Sequence, residues 1–112
     1  MKIAFTSTGN SWDSKIDPRF GRAEFIFIYD DETKNNDIVD NSGVSEHAHG
    51  AGPMTAQIVT EKKVDIIITG NGPGGNAARV IEAAGIKVFS GAAEMTVKEA
   101  YEAYKKGSLK QS

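Results

Sequence analysis

VDIIITGNGPGGNAARVIEAAG, residues 64–85, decides the fold. Val64, Ile66, Ile67 and Ile68 make a short β-branched run, the pattern of a strand covered on both faces. Gly70-Asn71-Gly72-Pro73-Gly74-Gly75 follows, four glycines in six residues. Ala77, Ala78, Val80, Ile81 and Ala84 then recur at helical spacing until Gly85 stops the pattern. A strand, a glycine turn and a helix leave backbone N–H groups at the helix start, facing the carboxyl end of the sheet. Such a place suits an anion or a polar ligand.

Outward from this unit, residues 2–8 (KIAFTST) read as a first strand with Ile3 and Phe5 on one face. A polar loop over residues 9–22 holds Trp12, Asp13, Asp17-Pro18 and Arg19-Phe20-Gly21-Arg22. EFIFIY (24–29) is an aromatic second strand, DDETKNN (30–36) a turn and DIVDN (37–41) a short third strand. These three form an antiparallel meander. His47-Ala48-His49-Gly50 sits in the next loop, and Pro53 suits the first position of a helix reaching about Lys63, with Met54, Ile58 and Val59 inward. Ile86 to Phe89 is a last strand. Thr96-Val97-Lys98-Glu99 is a capping box opening a final helix striped by Val97, Ala100, Tyr101 and Tyr104, with Gly107 as its stop. The expectation is one α/β domain over residues 1–112: a mixed five-stranded sheet, an antiparallel meander followed by parallel βαβ units, with three helices.

Composition narrows the function. A 112-residue chain of net charge −2 carries no electrostatic footprint for nucleic acid or an anionic membrane. Without cysteine there is no disulfide, thiolate zinc site, thiol nucleophile or cysteine-ligated iron–sulfur cluster. No apolar run approaches a spanning helix. Met1-Lys2 leads straight into the first strand, so a cytoplasmic protein is expected.

Gly70, Gly72 and Gly75 fit G-x-G-x-x-G, but the next strand ends Val88-Phe89-Ser90-Gly91 without the acid a dinucleotide ribose needs. Gly70 and Gly75 also fit G-x-x-x-x-G, yet Asn76-Ala77 replaces the Lys-Ser/Thr of a phosphate-binding loop, which excludes nucleotide hydrolysis. Two readings of the turn stay open: a ligand site, or a tight turn that needs positive φ. Arg19-Phe20-Gly21-Arg22 is either an anion clamp or a core plug, Phe20 buried and the arginines paired with Asp13, Asp17 or Glu24. His47 and His49 are either metal ligands or solvated loop residues. Met54 and Met95 are soft thioethers at helix starts, where packing accounts for them. No G-x-S-x-G elbow exists. The strand order is that of a ribonuclease H-like fold, but a two-metal nuclease needs a carboxylate on the first strand, and KIAFTST has none.

Taken together, KIAFTST, the block Arg19-Phe20-Gly21-Arg22-Ala23, His49-Gly50-Ala51-Gly52, VDIIITGNGPGGNA, Ala84-Gly85-Ile86-Lys87-Val88 and Thr96-Val97-Lys98-Glu99-Ala100 resemble the dinitrogenase iron–molybdenum cofactor biosynthesis family. Its NifX/NafY-like domains also form the C-terminal part of some NifB proteins. The resemblance covers nearly the whole chain. It implies a ribonuclease H-like fold without nuclease activity and non-covalent carriage of an iron–sulfur or molybdenum–iron–sulfur cluster. It also implies partners that assemble or accept clusters, around a monomer or weak dimer. The binding surface it implies comprises Arg19, Phe20 and Arg22; His47 and His49; and Gly70, Gly72, Gly74, Gly75 and Asn76. Many relatives carry histidine where this chain has Arg19, which favours anion contact over metal ligation at that position. An enzyme or sensor binding a phosphorylated or carboxylated ligand at the same turn, and a purely structural interaction module, are the competing readings.

Overall fold

Two rows of apolar side chains run across the sheet, one on each face, and they set the layers. The computed structural model describes residues 1–45 and 51–111. Its strands are β1 (Lys2–Ser7), β2 (Phe25–Asp30), β3 (Asn35–Asp40), β4 (Ile66–Ile68), β5 (Lys87–Ser90) and β6 (Lys110–Gln111). A single helical turn, α1 (Ser42–Ser45), precedes three longer helices: α2 (Ala51–Glu61), α3 (Gly75–Ala83) and α4 (Val97–Lys105). The sheet order is β3-β2-β1-β4-β5-β6, with β1, β4 and β5 mutually parallel and the other pairings antiparallel.

Register aligns Ile28, Ala4, Ile67 and Val88 across four strands, and Phe27, Phe5, Ile68 and Phe89 beside them. The first row packs under α2 and α3 with Ala56, Val59, Ala77 and Ile81. The second meets α4 through Val97 and Ala100, together with Ile16 and Leu109. Successive strand residues point to opposite faces, so the three isoleucines of β4 serve both cores. The α4 side is aromatic: Trp12 lies edge-on to Phe27 and Tyr29, each with ring centroids 4.9 Å apart.

Among the described residues the sheet has six strands rather than the expected five. The additional strand, Lys110–Gln111, is two polar residues long and carries no periodic signal; buried Leu109 anchors it beside β5. The third strand begins two residues earlier than expected, at Asn35, after a turn that puts Lys34 at φ 64°. Pro53 stands third in α2 rather than first, still in the turn whose N–H groups have no acceptor within the helix. Met54 is exposed, not inward; Thr55, Ala56 and Val59 make the buried stripe and Ile58 is half-buried. Packing therefore accounts for Met95, which joins the α4-side core, but not for Met54.

The capping box of α4 forms as expected. Glu99 N–H donates to Thr96 Oγ1 (3.1 Å) and Thr96 N–H to Glu99 Oε1 (2.9 Å), and these bonds hold the Glu99 carboxyl below its ordinary range. Gly85 (φ 76°) and Gly107 (φ 75°) follow α3 and α4 in the left-handed conformation of helix stops.

Asn41, fully buried after β3, ties the meander to the helical layer. Its Nδ2 donates to Ala23 C=O (2.9 Å) and to Thr55 Oγ1 (3.1 Å) on α2. Asn41→Ala leaves those acceptors buried without their donor. It should cost about 1–3 kcal/mol in urea unfolding, with an unchanged m-value.

Candidate functional site

Loops meet at the carboxyl ends of β1 and β4, and hydrogen bonds from the two strands place them. Thr6 and Thr69, both buried, stand at those ends with their hydroxyls 2.8 Å apart. Thr6 Oγ1 also donates to the carbonyl of Asp17 (2.8 Å), while Asp17 N–H donates to Thr6 C=O (2.9 Å). The returning loop is thus pinned to the top of β1. One residue on, Pro18 C=O accepts the N–H of Asn71 (2.8 Å), which joins this loop to the glycine turn.

Arg19 lies next in the chain. Its Nε donates to Asp17 Oδ1 (3.1 Å) and its Nη2 to Asp17 Oδ2 (3.2 Å), and its N–H reaches Oδ1 as well (2.9 Å). The Asp17 side chain is 2% exposed and that of Arg19 is 59% exposed, so a buried acid holds an outward cation. These bonds raise the guanidinium further above its ordinary value. Of the two readings of this block, the core plug describes Phe20, which is buried under α2 and α3, and the pairing of Arg19 with Asp17. Arg22 is half-buried beside Gly21.

Gly21 marks where the loop crosses the start of α2. A Cβ there would lie 2.5 Å from the nitrogen and 2.7 Å from the Cα of Gly52. Gly52 in turn faces Ala77 in the first turn of α3, 3.4 Å from where its own Cβ would stand. The loop at residues 19–22 and the starts of α2 and α3 therefore converge. His47 and His49 lie outside the described residues; Ala51, the first residue described after them, backs onto Gly21.

The glycine turn corrects one expectation. None of Gly70, Gly72, Gly74 and Gly75 has positive φ; among the described glycines only Gly85, Gly91 and Gly107 do. Gly70 is needed for space, since a Cβ would lie 2.6 Å from Pro18 Cα. Gly74 and Gly75 have no such reason. Gly74 caps α3 in an ordinary extended conformation (φ −67°, ψ 170°) without a side-chain hydrogen bond, and a Cβ on either residue would meet open space. Asn71, Gly72, Gly74, Gly75 and Asn76 are exposed. The consequence is a helix start with its N–H groups bare of side-chain cover and positive partial charge directed outward.

Two grooves flank this surface without enclosing it. One, of about 590 Å³, runs beside α3 and β5 past Gly72, Pro73, Ala78, Ile81, Ile86 and Val88. The other, of about 760 Å³, lies by Lys15, Ile16, Pro18, Ala93 and Glu94. Neither contains Arg19. The candidate site is the convergence of loops, where the loop that carries Arg19 is bonded through Pro18 to the glycine turn ahead of α3. Among the described residues, no group of three or more His, Cys, Asp or Glu could hold a metal ion. Thr6, Thr69, Asn41, Thr55 and Asp17 as a buried anchor are the positioning residues that sequence reading missed. Asp17-Pro18 ahead of the arginine was the one local signal.

The sequence pattern of the dinitrogenase iron–molybdenum cofactor family matches residues 1–107. The chain belongs to this family. Its structure is similar to the apo form of the orange protein of Desulfovibrio gigas, with a TM-score of 0.92 and 33% identity over 99% of this chain and 92% of that one. It is also similar to a putative NifB protein of Thermotoga, with a TM-score of 0.85 and 37% identity over 98% and 91% of the two chains. No curated protein matches. Both structural relatives are close to this chain in length.

The glycines divide by physical reason, and substitutions separate them. Gly21→Ala forces its Cβ into α2 backbone and should destabilise by about 1–3 kcal/mol. Gly74→Ser supplies the missing cap and should be neutral or stabilising by about a few tenths of a kcal/mol in the same unfolding measurement.

Proposed function

We propose that the protein is a non-enzymatic carrier of an iron–sulfur or molybdenum–iron–sulfur cluster, held non-covalently as cargo at the carboxyl end of the sheet. The observation that carries this reading is the exposed, glycine-capped start of α3, strapped through Asn71 and Pro18 to the loop that displays Arg19. Clusters of this class are anionic. Guanidinium donors and helix-start N–H groups complement spread negative charge without a covalent bond. The absence of cysteine is compatible with holding of this kind, and His47 or His49 would ligate or hydrogen-bond. Membership of a family named for the iron–molybdenum cofactor supports the reading. So does a structural neighbour named for a colour and solved in an apo form.

In this reading Arg19 and Arg22 meet the cargo's charge, Gly72, Gly74, Gly75 and Asn76 offer backbone donors, and Phe20 seats the loop on the core. Its partners are proteins that assemble or accept clusters, met at the same end, and the protein works in the cytoplasm as a monomer or weak dimer. No described helix is long and apolar enough to cross a membrane.

The test is anaerobic. Purified protein is incubated with iron and sulfide, with and without molybdate, desalted, and examined for visible absorption and metal content. A retained chromophore with stoichiometric metal is expected, reduced about tenfold or more in Arg19→Ala or His49→Ala. A colourless, metal-free product under every condition, including transfer from a preformed cluster, contradicts the carrier reading and turns the same N–H groups toward a small phosphorylated or carboxylated anion.

A further inference from the structure

We infer that Asp17 is a positioning residue of the cargo site: it grips one edge of the Arg19 guanidinium and thereby presents the other edge to the anion. The inference rests on the proposed carrier function and names the device that orients its cation.

A buried carboxylate is costly unless it is fully compensated. If surface pairing alone were at stake, the exposed acids Asp13 and Glu24, six and five residues away, could serve as well. The acid used is instead the one locked in place. Asp17 is held by Thr6 through both its N–H and its carbonyl, and Thr6 is bonded to Thr69 on the neighbouring strand. Both carboxylate oxygens then accept from Arg19. The guanidinium inherits the rigidity of two central strands although its side chain is mostly in solvent.

Among the described residues, the Arg19 side chain bonds only to Asp17, which leaves donors unused. Arginine has five side-chain N–H groups. Asp17 takes one on Nε and one on Nη2, so three remain: both on Nη1 and one on Nη2. That is the end-on fork, suited to two acceptor atoms on one edge of an anion. Because Asp17 offsets the charge of Arg19 at close range, Arg19 contributes directed hydrogen bonds more than net attraction. The class of cargo this favours is an anion of diffuse charge with paired edge acceptors, such as the sulfido or oxo pairs of a metal–sulfur unit. A compact anion bound by charge alone gains less.

A double-mutant cycle tests the inference, with metal retained per chain after loading with iron, sulfide and molybdate as the readout. Asp17→Asn and Arg19→Ala should each lower retention about tenfold. If Asp17 acts through Arg19, the double variant should fall no further than Arg19→Ala alone, whereas a merely structural role would cost in both backgrounds. Wild-type retention in Asp17→Asn, or losses that multiply in the double variant, overturns the positioning role while leaving the carrier function standing. A wild-type protein that retains no metal overturns both. Should Asp17→Asn fail to fold, the wild-type apo protein decides: the Arg19 Nε–H resonance should be resolved and slow to exchange at neutral pH, and its loss to solvent exchange overturns the inference.

Discussion

The loops at the carboxyl end of the sheet depend on one pair of side chains. Thr6 and Thr69 end adjacent parallel strands, β1 and β4, and their linked hydroxyls give the backbone of Asp17 a fixed seat. From that seat the chain runs through Pro18, against Gly70, to Arg19, and then over Gly21 onto the start of α2. A buried hydroxyl or carboxylate left without a partner costs about 1–3 kcal/mol or more. This end has six buried polar or charged side chains, Thr6, Ser7, Asp17, Asn41, Thr55 and Thr69, and no buried side-chain nitrogen or oxygen among the described residues lacks a hydrogen bond. The loop is therefore specified by buried polar hydrogen bonds together with three apolar anchors, Trp12 and Ile16 on the α4 side and Phe20 on the other face.

That division of labour suits the non-enzymatic binding surface proposed here. Apolar rows on both faces of the sheet supply the stability, and they lie beneath the site. Above them stand a restrained guanidinium and an uncovered helix start. Salt bridges with an exposed partner contribute little to stability, so the Asp17–Arg19 pair is better understood through what it orients than through what it holds together. The carrier function proposed here needs donors in fixed directions more than it needs an enclosed cavity, and the two grooves pass to either side.

Most of the architecture was legible in the residues because it rests on period. The alternation of β1 and β2, the triple isoleucine of β4, the capping box at Thr96 and the stops at Gly85 and Gly107 each appear in the structure where the pattern placed them. The sixth strand was not legible, since Lys110–Gln111 is too short and polar to show a period. Met54 misled because helical spacing does not say how wide the buried stripe is, and α2 uses Thr55 and Ala56 to approach its neighbours closely. The site was legible in outline only. Glycines invite an explanation from positive φ, yet Gly70 answers to the bulk of Pro18, and Gly74 and Gly75 to neither φ nor space. Arg19 had three acids within reach in the sequence, and only burial shows that Asp17 is the partner. That choice is made by Thr6, which is distant in sequence and carries no local mark of its role.

The most direct measurement is an amide NMR spectrum of isotope-labelled protein before and after anaerobic loading with an iron–sulfur cluster, because paramagnetic iron broadens the signals nearest to it. The account predicts broadening centred on Arg19, Gly21, Arg22, Gly72, Gly74, Gly75 and Asn76. Signals from the α3–β5 groove around Lys87 and Gln111, and from the β3 edge, should persist. Broadening centred on the groove or on β3, with residues 19–22 and 72–76 unaffected, would contradict it.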